Sequence, residues 1–173
     1  EGIKVAVIDT GLDFAHPLFA GRIGWPVHDF VDGDEDPTDV PPGAGYGHGT
    51  FIAGLVALAA PRATIMPLRA FSADGFGTSF NIAKAIRFAA DNGARVINMS
   101  FGMPQEDPLV KDAINHAVQT SYMVAAAGND DSNAIHFPAS MGWQTLSVTS
   151  TGTNDIKAPF ANFNRDVQVS APG

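Results

Sequence analysis

There is no cysteine among the 173 residues, which excludes disulfide staples, a thiolate-bound zinc and a cysteine nucleophile. Positive charge is scarce. Ten Lys and Arg against eighteen Asp and Glu leave a net charge of −8. That sign repels phosphate backbones and anionic lipid, so neither nucleic acid nor a membrane surface is an expected partner. Charged residues of both signs reach only 16%, against 45% hydrophobic, the balance of a cored globular domain and not of a disordered chain. Long hydrophobic runs are also lacking: the longest nearly apolar stretch, 51–60, falls well short of the ~20 residues that span a bilayer. No leader-like segment precedes the first apolar run, as expected of a mature or trimmed chain.

What is present alternates between two periodicities. Short β-branched or apolar runs at 3–8, 64–68, 95–99, 122–127, 145–149 and 167–170 read as buried strands, with a weaker one at 27–31. Helical spacing lies between them. Ile82, Ala85, Ile86 and Ala89 share a face, and Gly93 follows as a stop. Asp107 and Pro108 form an N-cap and first-turn pair for a helix through Val118. A third helix is expected from His48 to Leu58, ending before Pro61. Strand, helix, strand in repetition predicts an α/β fold, a three-layer sandwich around a mostly parallel central sheet. Ligands of such sheets sit beyond the carboxyl ends of the strands. Asp9, Ser100 and Asn129 each follow a predicted strand, so three distant polar residues are expected along one edge.

Val7-Ile8-Asp9-Thr10-Gly11 puts a carboxylate where a buried strand emerges. Alone it is ambiguous between an Asp capping a turn and the Asp-Thr-Gly of aspartic peptidases, which are all-β and need a second such triplet. Gly47-His48-Gly49-Thr50 opens an apolar, small-residue helix; glycines flanking the histidine suit a backbone that passes close to substrate. With Asn98-Met99-Ser100-Phe101-Gly102 and Ala125-Ala126-Ala127-Gly128-Asn129 added in order, the chain closely resembles the subtilisin-like serine peptidases.

That resemblance implies roles. Asp9 matches the carboxylate that orients the imidazole, His48 the general base, and Asn129 the side-chain donor of the oxyanion hole. Ser100, Phe101 and Gly102 match the segment that pairs with substrate main chain, and Gly75, Phe76 and Gly77 its counterpart across the groove. Ala126, Ala127 and Gly128 match a wall of the specificity pocket, with His136 near its floor. A polypeptide substrate is implied, no cofactor is required for the chemistry, and the family's commonest location is extracellular.

The pattern also departs from the family. The nucleophile belongs in Gly-Thr-Ser-Met-Ala, after a strand ending in Ala-Pro-Gly, and here Ala171-Pro172-Gly173 comes last. Residues 1–173 therefore read as an incomplete subtilisin-like domain without the C-terminal helices, and bare apolar surface is expected where they pack. Ser79, in Gly77-Thr78-Ser79-Phe80, also opens a helix but lacks the following small residues and proline, and Ser170 falls in a strand. Leu18 replaces a calcium-binding Asp after His16-Pro17. Calcium is instead expected, as a structural ion, at Asp29, Asp32, Asp34, Asp36 and Thr38, unless that acidic loop is simply solvated. Two functions stay open: a serine endopeptidase whose serine lies in the missing C-terminal part of this domain, or a peptide-binding homologue without catalysis.

Overall fold

The computed structural model describes residues 2–173. Seven strands, β1 (Lys4–Asp9), β2 (His28–Asp29), β3 (Thr64–Arg69), β4 (Val96–Met99), β5 (Tyr122–Ala126), β6 (Thr145–Thr151) and β7 (Val169–Pro172), form one sheet. Its order is β2-β3-β1-β4-β5-β6-β7, and every pairing is parallel. Three α-helices accompany it: α1 (His48–Ala59), α2 (Ser79–Asp91) and α3 (Pro108–Ala117). Strand order reverses at β1, which lies between β3 and β4, so the crevice of this parallel sheet opens at the end of the strand that carries Asp9.

The caps follow from local chemistry. Thr78 accepts from the Asn81 amide to start α2, and Asp107 accepts from the Leu109 and Val110 amides to start α3. Gly93, with φ +80°, takes the left-handed conformation that stops α2. The sheet's two faces are then covered unequally. Ala6, Ile8, Met66, Leu68, Ile97, Met99 and Met123 pack under α2 and α3 through Ile82, Ile86, Val110 and Ile114. On the opposite face α1 reaches only Val7 and Ile65, helped by Leu12 and Phe19.

The rest of that second face is thinly covered. Val96, Val124 and Val148 are half-buried and Leu146 is exposed. α1 itself is apolar all round, a pattern that belongs to a helix buried on every side. Yet only Gly49, Ala53 and Ala57 are buried on it, while Phe51, Leu55 and Leu58 are exposed. The bare apolar surface expected from the sequence is there.

Candidate active site

Asp9 ends β1 and is only 4% exposed. Its Oδ1 accepts from the Thr10 amide at 2.8 Å and lies 2.7 Å from His48 Nδ1. A carboxylate only accepts, so Nδ1 carries the proton and Nε2 presents a lone pair. The His48 side chain is 45% exposed, and among the described residues nothing hydrogen-bonds its Nε2. The hydrogen bond to Asp9 raises the imidazole pKa above its ordinary 6.5, burial opposes that rise, and the charges of Asp9 and Asp39 reinforce it.

Close backbone packing builds this pair. A Cβ on Gly49 would lie 2.2 Å from the Gly11 carbonyl oxygen and 3.1 Å from Asp9 Cβ. The start of α1 can therefore sit on the turn after β1 only because residue 49 lacks a side chain. Thr10, also buried, accepts from the Gly49 amide at 3.1 Å, satisfying one of the four unpaired amides of the helix start.

Asp9, His48, Phe71, Gly75, Ser100, Phe101 and Gly102 line one cavity of about 330 Å³. Ser100 also borders a second, of about 350 Å³, with Ala126, Ala127, Gly128, Asn129 and Gly173 on its wall. Asn129 is exposed there, and its side chain hydrogen-bonds to none of the described residues. The segment at 100–102 thus borders the Asp9–His48 pair, and Ser100 joins that cavity to the one walled by 126–128. On the other side Gly75 lines the first cavity, Phe76 is exposed, and Gly77 packs against the Phe71 ring, which in turn meets Phe101 at 5.0 Å.

His136 lies between the two segments. A Cβ on Gly102 would be 2.9 Å from His136 Nδ1, and one on Gly128 3.2 Å. Its Nε2 is 2.9 Å from Asp130 Oδ2. Met103 and Phe137 exchange backbone hydrogen bonds that hold this stretch against the chain leaving β4.

Family-model comparison matches the description "Subtilase family" over residues 1–173. The chain belongs to the subtilase family. It is 38% identical to thermitase of Thermoactinomyces vulgaris, the match covering the whole chain and 63% of thermitase. It is 39% identical to a thermophilic serine proteinase of Bacillus sp. (strain AK1), covering 44% of that protein. A cold-adapted subtilisin-like serine proteinase of known crystal structure superposes with a TM-score of 0.88 at 32% identity, over 99% of this chain and 63% of that one. This subtilase chain therefore spans about half to two-thirds of the length of these relatives.

Asp29, Asp32, Asp34, Asp36 and Thr38 do not form a cation cage. Arg69 Nη1 donates to both Asp29 Oδ2 and Asp32 Oδ2 at 2.5 Å. Asp29 Oδ1 accepts from the Val31 amide, Asp34 from the Asp36 amide, and Asp36 from the Thr38 hydroxyl. Among the described residues no three His, Asp or Glu side chains are placed to hold a metal ion. An arginine one strand away thus takes up part of the loop's charge from inside, through one oxygen each of Asp29 and Asp32.

Two residues at the site were not predicted as site residues from the sequence. Asn162, fully buried, accepts from the Asp130 and Ser132 amides and donates to the Ala127 carbonyl, bracing the turn that holds Asn129. Asp39, 5% exposed, accepts from the Gly47 amide and the Thr50 hydroxyl on either side of His48. Neither stands in a recognisable motif.

Proposed function

We propose that this chain carries the acid, the base and the oxyanion donor of a serine endopeptidase. The observation behind this reading is the 2.7 Å contact between Asp9 Oδ1 and His48 Nδ1 beside a cavity of about 330 Å³. In the proposed reaction His48 Nε2 takes the proton of a serine hydroxyl as that oxygen attacks the scissile carbonyl, then returns it to the departing amine. Asp9 holds the tautomer and stabilises the imidazolium. Asn129 donates to the oxyanion; losing one such donor costs about 10²–10³ in kcat, a figure that comes from subtilisin. The substrate is a polypeptide laid as an added strand between the segments at 75–77 and 100–102, with His136 at the floor of the pocket for the residue before the cut. Relatives named as serine proteinases support this, and an extracellular setting is proposed on the same resemblance.

The nucleophile is proposed to come from outside these 173 residues. Gly173 borders the same cavity as Asn129, and Ile52, Leu55 and Val56 of α1 line it too, a face suited to an entering apolar helix. Labelling of the full-length protein with a fluorophosphonate tests the reading. It should require both His48 and a serine downstream of Gly173. Labelling that survives His48→Ala overturns the mechanism, and a coding sequence that stops at Gly173 favours the non-catalytic peptide binder.

A further inference from the structure

α1 begins without a cap of its own. Its N-cap residue is Gly47, held at φ +85°, and it makes no side-chain capping bond. A helix start leaves four amides without intrahelical partners, and a helix bearing a catalytic base cannot fray there without moving that base. Thr10 serves the Gly49 amide, and the N-cap residue's own amide finds its acceptor eight residues upstream: Asp39 Oδ2 accepts from the Gly47 amide at 2.9 Å and from the Thr50 hydroxyl at 3.1 Å.

The backbone of Asp39 is fastened to the other partner. Its amide donates to the Leu12 carbonyl at 3.1 Å, and the Leu12 amide donates to the Pro37 carbonyl at 2.9 Å. This short parallel bridge lies just beyond Asp9 on the chain leaving β1. Gly11 sits so close that a Cβ there would be 2.8 Å from the Asp39 amide nitrogen. Thr50 closes the circuit, because its hydroxyl oxygen also accepts from the Asp13 amide at 2.8 Å. One residue thus ties the turn after Asp9 to the two flanks of His48.

We propose that Asp39 is a positioning residue for the base, clamping α1 onto the Asp9 turn and adding a second negative charge behind the imidazole. This rests on the peptidase reading for its kinetic consequence alone. The carboxylate bonds to residues on both sides of the imidazole, which is what brings its charge to bear. It is 5% exposed, and its Oδ1 is buried with no hydrogen-bond partner among the described residues. Little water screens it, so while ionised its field acts on its neighbours. Those are the positive end of α1 and His48, whose pKa the Asp39 charge helps to raise, after the larger effects of the Asp9 hydrogen bond and burial. The ionisable groups facing His48 are Asp9 from β1 and Asp39 from the loop; α1 carries no charged residue, and the cavity wall adds none.

The test uses full-length protein carrying Asp39→Ala or Asp39→Asn. Asp39→Ala should lower kcat by about 10²-fold with little change in KM, the scale of loss when a reacting group is misplaced by about an ångström. Asp39→Asn keeps an acceptor for Gly47 and Thr50 and should recover most of that rate. In this variant the acid limb of kcat, and the His48 imidazole titration followed by NMR, should both move to lower pH. A passive brace would leave the titration where it was. Wild-type kcat in folded Asp39→Ala, or an unmoved His48 titration in Asp39→Asn, overturns the proposal. Should the alanine variant fail to fold, the asparagine titration decides. Loss of the peptidase reading is recognised separately, by wild-type protein that takes no fluorophosphonate, and the NMR titration tests Asp39 even then.

Discussion

The Gly49 amide donates to Thr10 Oγ1 at 3.1 Å, so the residue after the carboxylate grips the residue after the imidazole. The contact joins the two halves of the dyad through their immediate chain neighbours. Side-chain geometry between Asp9 and His48 is therefore inherited from how closely two backbones approach, and Gly49 sets that approach.

Gly49→Ala separates two opposing effects. In an exposed helix interior the change would stabilise by about 1 kcal/mol, because glycine is the poorer helix former. Here the new Cβ meets a backbone carbonyl at 2.2 Å, and overpacking of this kind costs about 1–3 kcal/mol. The steric effect wins, so the variant should melt several degrees lower and lose more than about tenfold in kcat as the dyad opens. A rise in Tm on thermal unfolding would contradict the packing described.

The pH dependence follows from the direction of the His48 shift. The base acts when neutral, and the Asp9 hydrogen bond, against burial, holds its pKa above 6.5. The acid limb of kcat/KM should accordingly lie above pH 6.5, and Asp9→Asn should shift it to lower pH while costing about 10⁴ in kcat. For stability the sign is opposite to that for activity. A raised histidine pKa contributes fully below about pH 6.5 and loses its contribution as pH climbs through the folded value. An Asp9→Asn profile superimposable on wild type would refute the hydrogen bond's role.

Arg69 and the acidic loop provide the third check. Arg69 is buried with Asp29, which is 1% exposed, so Arg69→Met strands a buried carboxylate. Removing one partner of a buried pair costs about 3–5 kcal/mol, read as a lower denaturant midpoint. Since Arg69 takes one oxygen each of Asp29 and Asp32, and among the described residues no three acidic side chains converge, calorimetry on wild-type protein should give no calcium isotherm dependent on this loop. A saturable isotherm at millimolar calcium that disappears in Asp29→Asn would reverse that conclusion.

Much of the architecture was legible because its signals are local. The run at 3–8 became Lys4–Asp9, and the Ile82 to Ala89 spacing became the buried stripe of Ser79–Asp91. Asp107 before Pro108 marked a helix start to the residue. Boundaries moved where hydrogen bonding outlasted the apolar pattern: the last strand runs to Pro172, since β7 pairs with β6 through Thr151↔Pro172. Oxygen density along the acidic loop was legible, but the arginine that takes part of its charge was not, being 40 residues from Asp29 in sequence.

The sequence by itself determined the alternation of strands and helices, the glycines that flank His48, and the order of the four motifs that mark a subtilase. Period, capping and turn chemistry act over a few residues, and a linear reading reaches that far. Tertiary structure alone decided which carboxylate reaches which cation or helix start. It gave Asp9 to the imidazole, Asp29 to Arg69, Asp39 to the uncapped amide of Gly47 and Asp130 to His136. Those pairings depend on parallel strands bringing distant segments to one sheet edge, and on burial, which makes every ionised oxygen find a partner or project its charge.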